Sequence, residues 1–378
     1  MRIRWAFRRW TLRHLWYRLR LPSRRRRWVQ ENKRITEPFG KAEGIVPTKG
    51  HALVFGDFSG NHGLSRAAIY DVEPLKKIHS TLDIVDIGPF LKGKPPSPIA
   101  TPRTAVENVY FLCQPDTYAT ICRLISPELI ARAYRTGRWV WETPIFPEDW
   151  RFAERLVHRV WTPSSFCAET FRRALNLRVE IVPHAVHVPP VVQSDFRQQM
   201  GINPNVFLGL AVMDIISCPE RKNPWAHIEA WKNAFGDDEN AILVMKIRVG
   251  KRTNVVIKEL DEMIGTYNNI IIITEELSES EMISLRASCD VYMSLHRSEG
   301  YGLNIHECLS VGKKVIASNW SANSEYGPDF LNYIGINCDL VKYSDWTRHY
   351  DGSFLWAQAR IDDVVQILRE MASGRMSA

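Results

Sequence analysis

R-S-E-G-Y-G-L-N-I-H-E, residues 297–307, sets two glutamates eight positions apart around a glycine-aromatic-glycine turn. The run before it, V-Y-M-S-L (291–295), is short and apolar and reads as a strand, while N-I-H-E-C-L-S-V-G (304–312) begins a helix. A helix N-terminus offers unpaired N–H groups and a partial positive charge, and glycines let a phosphate come close to the backbone. Three readings stand side by side. A dinucleotide loop, G-x-G-x-x-G, fails at Ile305, where the third glycine belongs. A capping arrangement, with Asn304 as N-cap and Glu307 three residues on, fits Glu307 but gives no reason for Glu299 or the glycines. Half of a sugar-donor site uses all of them.

Outward from this loop the chain alternates short apolar runs with helical periodicity, the pattern of parallel sheets covered by helices. Strands are expected at Ala52–Phe55, Leu82–Ile87, Val109–Leu112, Trp139–Trp141, Arg159–Trp161 and Glu180–Val182, with helices near 64–79, 148–157 and 165–176. The segment 183–192 carries three prolines and reads as a linker. A second series follows: strands Phe207–Val212, Ala241–Lys246, Ile270–Thr274, Val291–Leu295 and Lys314–Ser318, and helices near 224–234, 253–264, 279–287, 304–311 and 360–371. The expected organisation is an extension over 1–48, α/β domains over 49–190 and 191–355, and a helix over 356–378 that packs back on the body. Two doubly wound halves joined by a hinge would face each other across a cleft, with ligands at the carboxyl ends of the strands.

The net charge of +7 is unevenly placed, because residues 1–27 hold eleven arginines and no acid, which leaves −4 for the remainder. That stretch interleaves its arginines with Trp5, Phe7, Trp10, Trp16 and Tyr17, and no run in it is long and apolar enough to span a bilayer. Arginine with interfacial aromatics suits a helix lying on anionic headgroups, so residues 1–28 are expected to meet a membrane surface, with a solvated basic arm as the alternative. Nucleic acid is not expected as a partner of the body. The seven cysteines are scattered, with no C-x-x-C, and suggest neither disulfides nor zinc.

S-E-G-Y-G-L-N-I-H-E-C-L-S-V-G-K-K-V-I-A-S (298–318) resembles the E-x(7)-E donor signature of retaining glycosyltransferases of family 4, the glycosyl transferases group 1, which have the GT-B fold of two Rossmann-like domains. D-I-I-S-C-P-E-R-K-N-P (214–224) resembles the family's phosphate-binding segment, W-V-W-E-T-P-I-F-P-E-D-W (139–150) and V-W-T-P-S-S-F (160–166) resemble N-domain motifs, and I-V-P-H-A-V (181–186) resembles its interdomain turn. The likeness covers roughly 50–372.

The resemblance implies a nucleotide diphosphate sugar as donor substrate, no cofactor, and a glycan or lipid-linked acceptor. It assigns Glu307 to the ribose hydroxyls, Glu299 to a hydroxyl of the transferred sugar, and the loop Gly300, Tyr301, Gly302 and Leu303 to the sugar and diphosphate. Lys222, with Arg221 beside it, would neutralise the departing diphosphate. Family members often carry an arginine a few residues earlier, absent between Asp214 and Glu220, and Lys246 or Arg297 is the expected substitute. His296 ends a strand next to the loop and is expected to reach the sugar. In V-F-G-D-F-S-G-N-H-G-L-S-R-A-A (54–68), Gly60 and Gly63 mark a loop that would approach donor phosphate and acceptor, with a plain tight turn as the other reading. The family histidine after a mid-domain strand is replaced by Gln114, and Glu142 stands open as acceptor partner or as a plain ion pair. No D-x-D occurs, so no metal ligands are expected.

Overall fold

The computed structural model describes residues 23–95, 102, 104–189, 196–251, 253–342 and 354–374. Most of the basic aromatic arm, residues 1–22, lies outside them. The chain divides into two compact units, the first ending at Ala185 and the second beginning at Val186 and taking in the stretch from Phe354.

The first unit opens with a helix, α1, described over 23–36. A six-stranded sheet follows: β1 (His51–Gly56), β2 (Thr81–Asp86), β3 (Asn108–Leu112), β4 (Tyr134–Arg138), β5 (Arg159–Thr162) and β6 (Arg178–Ile181), in the order β2-β1-β3-β4-β5-β6. Every pairing is parallel; Val54, for example, faces Ile84 on one side and Tyr110 on the other. Helix α2 (Gly63–Ile78) returns the chain from β1 to β2, laying Ala68, Val72 and Leu75 against Val54, Tyr110 and Leu112. Helix α3 (Ser165–Ala174), capped by Ser164, does the same between β5 and β6.

One expected strand is displaced. Trp139–Trp141 is loop, and the strand is the preceding Tyr134–Arg138, which carries two arginines. Both are buried, because each finds partners: Arg135 donates to the carbonyls of Ile130 and Phe39, and Arg138 pairs with Asp71 at 2.7 Å. Gly137 between them has no room for a side chain, since a Cβ there would sit 2.5 Å from Trp139 Nε1. The tryptophans instead join Trp150 and Phe171 in an edge-to-face cluster. The segment expected as a helix near 148–157 is a 3₁₀ stretch, Glu148–Leu156.

The second unit has a parallel sheet of β7 (Phe207–Asp214), β8 (Ala241–Arg248), β9 (Ile270–Ile273), β10 (Val291–Ser294), β11 (Lys314–Ser318) and β12 (Tyr333–Ile336), ordered β12-β11-β10-β7-β8-β9. Its crossovers are α4 (Pro224–Phe235), α5 (Asn254–Ile264), α6 (Glu279–Ser288) and α7 (Leu303–Ser310). Alternation along the strands sends Leu243, Met245 and Ile247 to one apolar layer and Val244 to the other. Trp231, fully buried, stacks on Phe207, and Gly209 leaves the space, because a Cβ there would lie 2.4 Å from the indole. Truncating so large a core side chain costs about 3–5 kcal/mol.

The strands β12, β13 (Cys338–Lys342) and β14 (Leu355–Ala359) were not anticipated; the last two form an antiparallel pair. Helix α8 (Ile361–Ala372) then packs on α4 through Val364, Leu368 and Met371. Among the described residues no helix is long and apolar enough to cross a membrane.

Candidate functional site

In the second unit the strand order reverses between β10 and β7, which is the topological switch point of an open α/β sheet. The residues singled out in the sequence converge there. A four-residue helical turn after β7, Pro219–Lys222, carries Arg221 and Lys222, and the loop after β10 carries Glu299. Lys222 Nζ donates to Glu299 Oε1, and Arg221 Nη1 lies 3.3 Å from Oε2. Burial disfavours the Glu299 carboxylate, but Lys222 and Arg221 outweigh it and hold the carboxyl at about 2.

The two loops are stitched by their backbones. Arg297 N–H donates to the Arg221 carbonyl at 2.8 Å, and Asn223, in the left-handed region at φ 52°, sends its amide to the Leu295 carbonyl. His227 locks the joint: its Nδ1 faces the Asn223 carbonyl at 3.0 Å while Nε2 accepts from Leu295 N–H. That pairing needs a neutral ring, and burial pushes its pKa down to about 4.

Glu299 leads into a helix start with no side-chain cap. The N-cap of α7 is Gly302, at φ 86°, so the expected capping box is absent and Asn304 lies inside the first turn. A positive φ favours glycine here, and Tyr326 Oη fixes the turn by donating toward the carbonyls of Tyr301 and Gly302 at 2.8 and 3.0 Å. The first amides of an α-helix lack intrahelical acceptors and carry the positive end of the helix dipole, and in α7 that end begins at Gly302. Tyr301 itself is buried, its ring stacked on His306 and tilted against Tyr326.

Three expected donor contacts sit deeper than the sequence suggested. Glu307 is 1% exposed and pairs with Arg286 of α6 at 2.9 Å. His296 is likewise 1% exposed; Nε2 meets Asn323 Oδ1 at 2.9 Å and Nδ1 meets Ser294 Oγ at 3.0 Å. The Asn323 amide nitrogen donates to the Ser318 carbonyl, so its oxygen is the acceptor and His296 carries its proton on Nε2. Burial pushes His296 to about 4, and both nitrogens are spent on protein, making it a support beneath the loop. Arg221 is 2% exposed and also holds the Ser298 carbonyl, leaving Lys222 as the more accessible cation of the two. Arg297, the substitute charge considered for the diphosphate, is engaged by Glu220 and lies over Trp356.

Lys246 differs from these. It is 7% exposed near the carboxyl end of β8, opposite Val212 of β7 and on the same face as Val244, and its ammonium has no hydrogen bond or ion pair among the described residues. Burial lowers its pKa against the pull of Glu275 and Glu276. Most of its stem is buried and its ammonium has no acceptor among the described residues, which leaves that group to water or to a ligand.

In the first unit, Gly60 lies in the loop from β1 to α2 and Gly63 is the first residue of α2, again where the strand order reverses. Gly60 admits no side chain, since a Cβ would lie 2.3 Å from Asp57 Oδ2 and Ser65 Oγ, whereas Gly63 faces open space. His62 accepts from Ser65 N–H as the α2 cap and sets Nε2 2.9 Å from Asp57. Gln114 bonds both N–H and C=O of Val140, tying the end of β3 to the loop that holds Glu142, which is half-buried. Asp57, Arg286, Asn323, Tyr326 and His227 were missed in the sequence, where nothing in their spacing marks them.

No protein-family model and no curated protein matches this chain. Solved structures do. HepE of Anabaena in complex with UDP and glucose aligns at TM-score 0.53 and 16% identity over 73% of this chain and 82% of that one. A glycosyltransferase of Rickettsia africae aligns at 0.57 and 16% over 77% and 85%, and apo OtsA at 0.52 and 8% over 75% and 88%. The fold is GT-B. Both six-stranded sheets belong to that fold, and the GT-B frame puts Glu299, Lys222 and the α7 N-terminus at the switch point of its C-terminal Rossmann-like unit.

Proposed function

We propose that this chain is a glycosyltransferase that moves a hexosyl group of mannose or glucose type from a nucleotide diphosphate sugar to a glycan or lipid-linked glycan acceptor. The proposal places it in cell-surface polysaccharide or lipopolysaccharide synthesis, on the cytoplasmic side, with residues 1–28 against the anionic inner membrane face. The observation that supports it best is the Glu299 carboxylate held between Lys222 and Arg221 beside the uncapped N-terminus of α7. A diphosphate is the ligand such amides and such a lysine suit, and an ionised carboxylate next to it suits a sugar hydroxyl. HepE, solved with UDP and glucose, supports the same class of donor.

In this reading Lys222 stabilises charge as the diphosphate leaves, and Glu299 orients the sugar by accepting from a hydroxyl. Transfer retains configuration: the acceptor attacks on the face the diphosphate leaves, and a leaving phosphate oxygen takes the acceptor proton. No protein nucleophile, cofactor or divalent metal is assigned a step. Lys246 takes a further donor oxygen, which would give its ammonium an acceptor.

Thermal-shift titration with a panel of UDP-, GDP- and dTDP-sugars tests this. Stabilisation by one nucleotide class, with slow hydrolysis of the matching sugar, is the expected result. A flat response to every nucleotide sugar would overturn it.

A further inference from the structure

Helix α1 is a docked element and its outer side is basic. Arg25 Nε lies 2.7 Å from both carboxylate oxygens of Asp149, and Trp28 packs edge-to-face on Phe152 at 5.9 Å. Asn32 and Thr36 are buried on the same stripe, Arg123 holds Glu31 at 2.9 Å, and Arg155 takes the Lys33 carbonyl. Off that stripe stand Arg24, Arg26, Arg27, Lys33 and Arg34, all exposed and none with a side-chain hydrogen bond or ion pair among the described residues. The acids of this stretch are Glu31, already engaged by Arg123, and Glu37.

We propose that this outer face of α1 is a docking surface for an anionic phospholipid bilayer, and that it fixes which side of the first unit meets the membrane. The inference rests on the membrane partner proposed for residues 1–28 and extends it to Lys33 and Arg34 on a helix anchored to the folded unit. Three features favour a bilayer over a nucleic acid. The cations spread over a helix of about 20 Å with no groove to follow a strand. The preceding residues interleave Trp5, Phe7, Trp10, Trp16 and Tyr17 with Ile3, Leu12, Leu15 and Leu19, side chains that partition into a headgroup layer. The remainder of the chain, carrying −4 after residue 27, repels a polyanion at other faces. Because α1 is pinned by Arg25 and Trp28, bilayer contact transmits orientation to the unit and is more than a flexible tether.

The test uses the full chain with vesicles of phosphatidylglycerol and phosphatidylcholine in equal parts, against pure phosphatidylcholine. The variant combines Arg26→Gln, Arg27→Gln and Arg34→Gln, three exposed positions that carry none of the helix's packing. With each cation near the surface worth about 1 kcal/mol, the variant's partition into anionic vesicles falls roughly 100-fold, and added salt weakens wild-type binding. Anionic vesicles also shield Lys33 from amine acetylation, while Lys258 on the second unit reacts as before. Unchanged partition of the variant, or wild-type binding with Lys33 still reactive, overturns the docking surface and leaves the arm alone as the anchor. No binding of wild type to anionic vesicles refutes the membrane reading as well. Shielding of Lys33 by RNA and not by vesicles assigns the face to nucleic acid instead.

Discussion

Glu299→Gln removes one charge from a three-group cluster and keeps its shape. Its carboxyl is held at about 2 against about 4.3 for a free glutamate, a preference for the charged form of about 3 kcal/mol at about 1.4 kcal/mol per unit. The group is mostly buried, so solvent screens little of this. The sign follows from the lowered value. The contribution is complete above about pH 4.3 and is lost as pH falls through about 2. At neutral pH the variant is therefore less stable by about 1–3 kcal/mol, the lower end applying if the Gln oxygen still accepts from Lys222. The same change frees Lys222 from an internal competitor, so a nucleoside diphosphate binds the variant more tightly, by about 1 kcal/mol or fivefold. Turnover, which needs the carboxylate on a sugar hydroxyl, falls at least about 100-fold. Urea unfolding, calorimetric titration with the diphosphate and donor-sugar kinetics read the three quantities on one preparation. Weaker diphosphate binding by the variant, or turnover near wild type, refutes the reasoning.

Lys246→Met replaces the ammonium with an apolar chain of similar length: urea stability changes by less than about 1 kcal/mol while the donor KM rises about tenfold, and an unchanged KM contradicts the role. Glu307→Gln strands Arg286 without its carboxylate and costs about 3–5 kcal/mol, whereas Arg286→Met with Glu307→Leu costs less than that single change. Thermal unfolding checks the order, and a single-site loss below about 1 kcal/mol refutes a buried pair. His227 and His296 stay neutral to about 4 in the fold, while unfolded histidines protonate near 6.5. The unfolded chain therefore takes up protons first, and stability drops as pH falls from about 6.5 to 4, by up to about 3 kcal/mol for each ring. Urea midpoints that do not move across that window contradict both placements.

Five of the six strands of the second unit's sheet were readable because they are continuous apolar runs separated by helical spacing, while β12 was not. What escaped were elements whose burial depends on distant partners. Tyr134–Arg138 looks polar, and it is a central strand only because Asp71, Phe39 and Ile130 receive its two guanidinium groups. Local spacing offered Glu307 as a cap and the family resemblance offered it as a ribose contact, while its partner Arg286 comes from the preceding helix. The link between Lys222 and Glu299 spans 77 positions and no periodicity encodes it. Likewise the hydrogen bonds of His296 depend on Asn323, which a sequence pattern gives no cause to pair with it.

The loop that carries Glu299 is braced from the far end of the chain. Ala357 N–H donates to the Arg297 carbonyl, Gln358 accepts from Arg297 Nε, and Trp356 lies beneath its guanidinium. During synthesis a domain folds as its residues emerge, at about 5–20 residues per second. Here the sheet of the second unit can form once β12 is out, yet the segment beside Lys222 stays unbraced until β14 has followed. A nascent chain cut short before Phe354 thus presents a folded sheet with an unfinished charge cluster.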